Sequence, residues 1–487
     1  MPSVSNDPLP PLNRRRFLRL AALGSVTGLL AACGVDDRTQ RLTASPGSTD
    51  AGLGPSGTLP SPAPPASTAS IAPAPVAPSP SASAVSSRPA AARRILYRNG
   101  ALADGRGPRL RYGVSILVED GRIAWIRPAD GEEDPGPRAD FELVDARGAT
   151  FVPGMVDGHS HITLPGGANW LDRIVDPPER LLEVAEQNAE LALRAGVRWF
   201  RDVGSPTVED PVDGRRRAIA LGIRDRWAGR RDRPSVRAAG TWLAAPGVLR
   251  RGIAIEVRDA DALLAAAIRQ LDQGADLIKL YVQSRDPDDP PWSATEIRRV
   301  VDAVHSRGGK TTAHVQRIGP ARAAVDGGVD SLEHGFRLDA AIARRMARQG
   351  TFLVSTLTVP RSFLAIGGAA RDTPFSTAAG RRSATGLLRD AEASVRAARS
   401  AGVKIAAGTD FGGGSSRANQ LAWEVESLVA AGLVPWEALA AVTWRGGELL
   451  DEPDAGVIRE GGPADFFLVH GDPLSDPAAL WRVWRVA

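Results

Sequence analysis

Cysteine is almost absent from this chain of 487 residues. The sequence has a single one, Cys33, so no disulfide can form within the chain. Lysine is nearly as scarce, and arginine supplies almost all of the positive charge. A strong excess of either sign is also missing, because 60 basic and 56 acidic residues leave a formal net charge of only +4. This near-balance gives no electrostatic reason to expect nucleic acid as a partner, and we predict none.

The first 33 residues have the layout of a bacterial export signal. Arg14 and Arg15 resemble the start of a twin-arginine signal, and the apolar stretch 20–32 is too short to span a bilayer. The stretch ends in LAAC at Cys33, which resembles a lipobox, whose cysteine carries a diacylglycerol after cleavage. An ordinary signal peptide is the alternative. We predict an exported protein, lipid-anchored to a membrane through Cys33 and facing the periplasm or the outer surface.

Residues 34–92 form a segment of low complexity. Pro, Ser, Ala, Thr and Gly dominate it, and aromatic side chains are almost absent. Such a composition cannot bury enough apolar surface to offset the entropy of folding. We predict a disordered tether that separates the signal region from a folded part beginning at residue 93.

The folded part is predicted to be an α/β protein. Short alternating strands in 93–150 and β character in 455–487 predict a small composite β-sandwich subdomain, built from both segments. Between them, 151–454 alternates strands with amphipathic helices, which favours a (β/α)8 TIM-type barrel over an open sheet. The eight expected strands are Phe151–Val156, Val197–Asp202, Ser235–Gly240, Asp276–Val282, Lys310–Val315, Val329–Glu333, Thr351–Thr356 and Val403–Thr409. The expected helices include Glu179–Arg194, Asp259–Gln273, Ala294–Ser306, Asp390–Ser400 and two within Arg417–Leu450.

Side chains that bind metals well stand at the ends of four of these strands. His159 and His161 form an H-S-H pair after the first strand, and a spacing of two puts both imidazoles on one side of an extended chain. His314 (TTAHV), His334 (SLEHG) and Asp410 (AAGTDF) end three more strands. Each residue alone is more often a hydrogen-bonded structural residue. Because barrel active sites are built at these ends, the set together predicts a metal centre.

Lys279 is expected to end the fourth strand, in ADLIKLY. The other lysines are Lys310 and Lys404, so arginine serves wherever a generic cation is sufficient. A lysine at an inward strand position therefore hints that an amine is needed. A desolvated amine can lose its proton and react with CO2 to give a carbamate, whose two oxygens can bridge two metal ions. The alternative is a lysine that caps the strand.

Seven motifs over residues 93–487 resemble the amidohydrolase superfamily. They are FVPGMVDGHSHI, RDVGS, ADLIKLY, TAHV, SLEHG, GTDF and GGPADFFLVHGDPL, in this order. The resemblance implies two divalent ions, zinc-like in preference, bridged by carboxylated Lys279. The further ligands that it implies are His159, His161 and Asp410 for the more buried ion, and His314 and His334 for the other. It also implies that Asp410 is the general base, which takes a proton from the attacking water and returns it to the leaving nitrogen.

Within that superfamily, the sequence is most similar to the imidazolonepropionase-related, prolidase-like branch. This similarity implies a small amide or peptide substrate, such as an N-acyl amino acid or a dipeptide. Lys279 argues against imidazolonepropionase activity itself, because those enzymes resemble a one-metal variant without the bridging lysine. Tyr281, Gln316 and Arg317 are candidate substrate-binding residues, and a packed barrel residue is the alternative for Tyr281.

Two other functions stay open at this stage. The same metal site is compatible with a lactone or phosphotriester hydrolase, since the fold does not decide between them. A non-catalytic, tethered binding lipoprotein would be expected to lack one or more of the ligands, and the sequence retains all of them. The sequence does not decide the exact substrate, the metal, or whether the protein is a monomer or a homo-oligomer.

Overall fold

A computed structural model describes residues 94–131, 141–168, 170–250 and 252–487. Cys33, the predicted signal peptide and the predicted tether lie outside the described residues. The strands are β1 (Arg94–Leu102), β2 (Arg111–Glu119), β3 (Arg122–Pro128), β4 (Glu142–Asp145), β5 (Ala149–Pro153), β6 (Met155–Ser160), β7 (Val197–Asp202), β8 (Thr207–Glu209), β9 (Arg216–Ala218), β10 (Ser235–Ala238), β11 (Leu243–Ala244), β12 (Ile255–Glu256), β13 (Leu277–Tyr281), β14 (Lys310–Val315), β15 (Ser331–His334), β16 (Phe352–Ser355), β17 (Ile405–Ala407), β18 (Phe466–His470) and β19 (Val483–Val486). The α-helices are α1 (Trp170–Arg173), α2 (Pro178–Arg194), α3 (Ile219–Trp227), α4 (Ala260–Asp272), α5 (Ala294–His305), α6 (Ile318–Gly327), α7 (Ala340–Gln349), α8 (Thr358–Ala369), α9 (Ala378–Ala401), α10 (Leu421–Ala430), α11 (Pro435–Ala441) and α12 (Trp444–Leu450).

One sheet of seven strands joins the N-terminal and C-terminal β segments. Its order is β19-β18-β5-β1-β2-β3, with β4 also paired to β1. The C-terminal strand β18 runs antiparallel to β5 and places Leu468 opposite Phe151. On one face, the rings of Tyr97, Phe151 and Phe466 pack edge to face, and Trp125 belongs to the apolar cluster of the other face. The composite β subdomain is therefore confirmed, and hydrogen bonds connect its strands into one continuous sheet.

The central part of the chain is a barrel of parallel strands. β6, β7 and β10 form one run, and β11, β13, β14, β15, β16 and β17 form another. Two single bridges join the runs, from Ala239 to Leu277 at one seam and from Ser160 to Phe411 at the other. β10 and β11 follow one another in the same place between β7 and β13, so the nine strands occupy eight places around the ring. This arrangement confirms the predicted eight-stranded barrel.

The helices that cover the barrel follow local signals in the sequence. α5 begins with a capping box, in which the Ser293 hydroxyl accepts from the Glu296 backbone and the Glu296 carboxylate accepts from the Ser293 backbone. Its apolar residues Ile297, Val301 and Val304 recur at helical spacing, and all are buried. None of the helices in the described ranges is long and apolar enough to cross a membrane.

The strand expected at 151–156 is divided between the two parts of the fold. Phe151 and Pro153 belong to β5 in the composite sheet, whereas β6 of the barrel begins at Met155. Pro153 has no N–H to continue a ladder, and a side chain at Gly154 would collide with Arg198. The single strand expected at 151–156 is therefore two strands, which separate at Gly154.

Two helical regions also differ from expectation. The helix expected at 390–400 begins at Ala378, because the Thr377 hydroxyl caps it by accepting the N–H of Gly380. The region 417–450 holds three helices, α10 to α12, where two were expected.

Candidate metal centre

The predicted ligand side chains lie at the C-terminal mouth of the barrel. They are His159 in β6, His161 directly after it, Lys279 in β13, His314 in β14, His334 at the end of β15 and Asp410 after β17. All six are buried, with 1% to 8% of each residue exposed. Lys279 stands in the middle of β13, rather than at its end as expected. The mouth of a parallel barrel is the usual place for an active site.

The Asp410 carboxylate lies among three imidazoles. Its Oδ1 lies 3.4 Å from His159 Nε2 and 3.3 Å from His161 Nε2. Its Oδ2 lies 4.0 Å from His334 Nδ1. His159, His334 and Asp410 each offer a ligand atom within 4.8 Å of the others. The Oδ1 atom has no hydrogen-bond partner among the described residues, which fits a carboxylate oxygen that faces a cation.

The opposite ring nitrogens of the first two imidazoles are held by the barrel. His159 Nδ1 lies 2.5 Å from Glu333 Oε2, and His161 Nδ1 lies 2.8 Å from the carbonyl oxygen of Gly204. Because a carboxylate and a carbonyl only accept, we assign the proton to each Nδ1 and a lone pair to each Nε2. Hydrogen bonds of this kind orient the imidazoles that bind metals.

The other two imidazoles continue the cluster. The ring of His334 lies 4.7 Å from the ring of His159 and 4.5 Å from that of His314, measured between centroids. His334 Nδ1 lies 2.8 Å from the Thr356 hydroxyl, and His314 Nε2 lies 2.8 Å from Gln283 Oε1. Each ring therefore uses one nitrogen for the protein and keeps the other for a ligand.

Burial keeps these imidazoles neutral. It lowers the pKa of His159, His314 and His334 well below the usual value for histidine. The charge of Lys279 acts in the same direction on all three. Neutral imidazole is the form that binds a metal, so protons do not compete strongly for these nitrogens near pH 7.

Lys279 is an unusual lysine in this environment. Only 2% of the residue is exposed, and its Nζ has no hydrogen-bond partner in the described part of the chain. Burial lowers the pKa of the ammonium group to about 8, although the carboxylates of Glu333 and Asp410 oppose this shift. About a tenth of the amine is therefore neutral at pH 7, far more than for an exposed lysine, and the nitrogen of this fraction is available for chemistry.

A buried carboxylate that the sequence analysis missed lies behind His159. Glu333 Oε1 accepts hydrogen bonds from Arg201 Nη2 at 2.5 Å and from the Ser331 hydroxyl at 2.9 Å, and Thr312 also donates to it. Burial raises the pKa of Glu333, but the charges of Arg201 and Lys279 outweigh this effect and leave it below the usual value. Glu333 is thus an anion that fixes the ring of His159. In the sequence, the only indication of a role for Glu333 is its position next to His334 in the SLEHG motif.

The loop after β7 holds His161 in the same way. Asp202 Oδ2 accepts the N–H of Ile162 at 2.8 Å, and Oδ1 accepts the N–H of Gly204 at 3.1 Å. The indole of Trp242 packs 5.2 Å from the ring of His161. Burial raises the pKa of Asp202 to about 6. The RDVGS motif therefore supplies both Arg201 of the Glu333 network and the support for His161.

Unusual backbone conformations bring side chains into the centre. His334 has φ 66° and Asp410 has φ 51°, both in the left-handed region that residues other than glycine rarely adopt. Gly413 approaches the centre closely, since a Cβ there would lie 2.2 Å from Asp410 Oδ1 and 2.4 Å from His161 Cδ2. Only glycine fits at this position without displacing one of these side chains.

The three candidate substrate residues border the His314 side of the centre. The ring of Tyr281 stacks on that of His314, with centroids 4.0 Å apart and planes inclined by 14°. Gln316 and Arg317 directly follow β14, and both are buried. Gln316 Oε1 has no hydrogen-bond partner within the described ranges, so it is available to accept a hydrogen bond from a ligand.

The residues present fit divalent metal ions. Four imidazoles, one carboxylate and one amine that can lose its proton are buried together at the mouth of the barrel. Imidazole-rich sets of this kind suit zinc-like ions. A parallel barrel with such a set at its C-terminal mouth defines the class of metal-dependent hydrolases.

Comparison with known proteins places the chain within this class. The model of the amidohydrolase family matches residues 150–486, so the chain belongs to the amidohydrolase family. An uncharacterized protein of Mycobacterium tuberculosis is 31% identical over 372 residues, which cover 76% of this chain and 91% of that protein. An imidazolonepropionase of Anaeromyxobacter dehalogenans is 26% identical over 422 residues, which cover 78% of this chain and 90% of that enzyme.

A solved structure confirms the fold. The structure of a Xaa-Pro dipeptidase with methionine bound in its active site superposes with a TM-score of 0.68 at 24% identity, covering 80% of this chain and 97% of that one. The family and the site together identify the protein as a metal-dependent hydrolase of C–N bonds. The predicted family, barrel and type of enzyme are confirmed.

Proposed function

We propose that the protein is an exported, membrane-anchored amidase or dipeptidase that hydrolyses N-acyl amino acids or dipeptides at a centre of two zinc ions. The observation that carries this proposal is the convergence of His159 Nε2 and His161 Nε2 on Asp410 Oδ1, with both Nδ1 atoms held by acceptors. Such an arrangement presents lone pairs to a cation before any cation arrives.

Each proposed ligand is assigned to one or both of the two metal ions. His159, His161 and Asp410 would hold the more buried ion, and His314 and His334 would hold the second. Lys279 would bridge the two as a carbamate, because its amine is buried, partly neutral and without a hydrogen-bond partner among the described residues. Bound divalent ions supply Lewis acidity, which lowers the pKa of water and polarises a carbonyl group.

Asp410 would move the proton in this reaction. Its carboxylate takes a proton from the attacking water as the new C–O bond forms, and then gives that proton to the leaving nitrogen as the C–N bond breaks. The left-handed backbone at Asp410 and the absence of a side chain at Gly413 keep the carboxylate at the mouth of the barrel. Asp410 thus combines the roles of ligand and general base.

Tyr281, Gln316 and Arg317 would recognise the substrate. Arg317 is a cation at the end of β14, which suits the free carboxylate of an amino-acid product. Gln316 and the Tyr281 hydroxyl suit the amide groups of such a substrate. The similarity to the Xaa-Pro dipeptidase supports the same substrate class, since the bound methionine in that structure is an amino acid.

Export is proposed from the sequence of the first 33 residues. A twin-arginine leader exports folded proteins, so the centre would be loaded with metal before the protein crosses the membrane. Lipidation of Cys33 would then anchor the enzyme, with residues 34–92 as the tether.

Metal analysis and a substrate panel test the hydrolase proposal. The panel contains Xaa-Pro dipeptides, other dipeptides, N-acyl amino acids and matched esters. We expect two zinc ions per chain, hydrolysis of at least one amide class, and a loss of about 10²–10⁴-fold in kcat for Asp410→Asn. His314→Asn should lose metal, whereas its control His470→Asn, an exposed histidine stacked on Trp484, should not. Protein without stoichiometric metal, or amide hydrolysis that a chelator leaves unchanged, would contradict the proposal.

A further inference from the structure

A second cavity lies beside helix α4 of the barrel. It has a volume of about 300 Å³ and is bounded by α4, by the start of β12, and by residues that follow β7 and β10. We call it the α4 pocket and define it by Thr207, Arg216, Thr241, Ile253, Arg269 and Gln270. Its volume is at the lower end of the range for small-molecule sites.

The inner wall of the α4 pocket carries an unsatisfied polar group. Gln270 is 2% exposed, and neither its Oε1 nor its Nε2 has a hydrogen-bond partner in the described part of the structure. The amide is packed against Gly240, where an added Cβ would overlap Gln270 Oε1. Burying a carboxamide without partners is costly, and a leucine or methionine would fill the same space without that cost. A ligand that pairs with the amide explains why a glutamine is present.

The hydroxyl groups of Thr207 and Thr241 add to the hydrogen-bonding groups of the pocket wall. Thr241 donates its proton to the carbonyl oxygen of Ser205 at 2.9 Å, and it lies 2.7 Å from the Thr207 hydroxyl. Thr207 must therefore donate to Thr241, which leaves the Thr207 oxygen as an acceptor. With the donor and acceptor of Gln270, the wall matches the N–H and C=O of an amide.

Two arginines stand at the opening of the α4 pocket. Arg216 and Arg269 are exposed, and neither forms an ion pair with any described residue, although most arginines in this part of the chain do. Apart from Gln273, the remaining lining is apolar, with Ile253 and Ala266 buried. Two unpaired cations at the mouth suit a carboxylate, and the apolar walls suit an organic molecule rather than an inorganic ion.

We propose that the α4 pocket is an accessory binding site for a small organic carboxylate that also carries an amide. The carboxylate lies between Arg216 and Arg269, and the amide lies against Gln270 and Thr207. A rotation about the last torsion of Gln270, which is soft, presents its amide to the ligand. The pocket backs onto the loop that holds His161, because Thr241 binds the carbonyl of Ser205, and His161 binds that of Gly204. None of the proposed metal ligands lines the pocket, so a molecule bound in it would occupy a site distinct from the metal centre.

Calorimetric titration of the full-length protein with succinamate tests this proposal. Succinamate has one carboxylate and one amide, and we expect a Kd of about 1 mM or tighter. The titration is performed on the metal-loaded protein and again after chelation, and binding to the α4 pocket should survive chelation. The titration after chelation tests the pocket alone, whereas hydrolysis and metal content test the catalytic proposal.

Matched variants assign the binding to the pocket. Arg269→Ala should weaken binding at least tenfold, whereas Arg348→Ala should not. Each of these arginines is exposed in the last turn of its helix, so the two changes affect helix ends alike. Gln270→Met should abolish binding and raise the melting temperature of the ligand-free protein, because it removes a buried unpaired amide.

Three results would overturn the assignment. The first is no binding by the parent protein. The second is unchanged affinity in Arg269→Ala and in a folded Gln270→Met variant. The third is equal binding of butyrate or inorganic phosphate, since neither has the amide that the wall requires.

Discussion

Replacing Gly413 with alanine tests the geometry of the metal centre directly. The new methyl group would lie 2.2 Å from Asp410 Oδ1 and 2.4 Å from His161 Cδ2. Because non-bonded heavy atoms settle at about 3.5 Å, both side chains must move by about 1 Å. A misplacement of about 1 Å at a reacting group costs about 10²-fold in rate, or about 2.7 kcal/mol of transition-state stabilisation.

The neighbouring glycine provides a matched control. A Cβ at Gly414 would meet nothing closer than 3.5 Å, where the carbonyl oxygen of Asp410 and the side chain of Val359 lie. Neither glycine has the left-handed backbone that disfavours alanine, so both changes are locally tolerated. We expect Gly414→Ala to keep kcat/KM within about twofold of the parent and Gly413→Ala to lose about 10²-fold.

The assay combines kcat/KM on the best substrate of the panel with bound metal and thermal unfolding. Thermal unfolding should remain similar in both variants, because the clash at Gly413 involves the ends of side chains rather than the backbone. If a folded Gly413→Ala protein keeps full activity and its metal, Asp410 and His161 do not lie against Gly413, and the roles assigned to them are wrong.

Three further predictions address the support of the site, the lysine and the anchor. Glu333→Gln should weaken metal affinity by about 10–100-fold in a chelator competition, because a neutral amide holds His159 less strongly; unchanged affinity would exclude that role. Metal loading of stripped protein at a fixed CO2 pressure should accelerate from pH 6.5 to 8.5 and then level off, since the neutral fraction of the Lys279 amine rises through its pKa of about 8 and approaches one above it; Lys279→Met should lose this dependence. Cys33→Ser should remove incorporation of labelled fatty acid and release the enzyme from the membrane fraction; retention of the label would disprove lipidation at Cys33.

The positions of the proposed ligands were predictable, because in a parallel barrel the residue that ends each strand lies at the same mouth. Each strand ends at the same mouth, so polar residues that follow apolar runs meet there whatever their separation in the chain. This rule brought His159, His314 and Asp410 together from sequence alone. It required only that the strands be recognised, and an error of a few residues at 151–156 did not move the ligands to another face.

The network behind the ligands was not predictable by the same rule. Arg201 and Glu333 are 132 residues apart, and nothing in either motif indicates that they pair. Strand alternation even argues against adjacent residues serving one site, because Glu333 and His334 should face opposite sides of the sheet. The left-handed backbone at His334 turns its ring back toward the centre, and no periodicity in the sequence reveals that turn.

The contrast between Arg201 and Lys279 explains why an arginine-rich chain keeps a lysine here. Both cations are buried in the same part of the barrel, and both act on Glu333. Arg201 donates to Glu333, and a guanidinium never loses its charge, so this contact stays fixed across the physiological range of pH. An arginine at position 279 would add a second permanent cation among four imidazoles and would repel any metal ion. A lysine can shed its proton when buried, and the proposed carbamate would then change its charge from positive to negative. The position therefore requires a group whose charge can be reversed, and lysine is the only basic side chain of suitable length with that property.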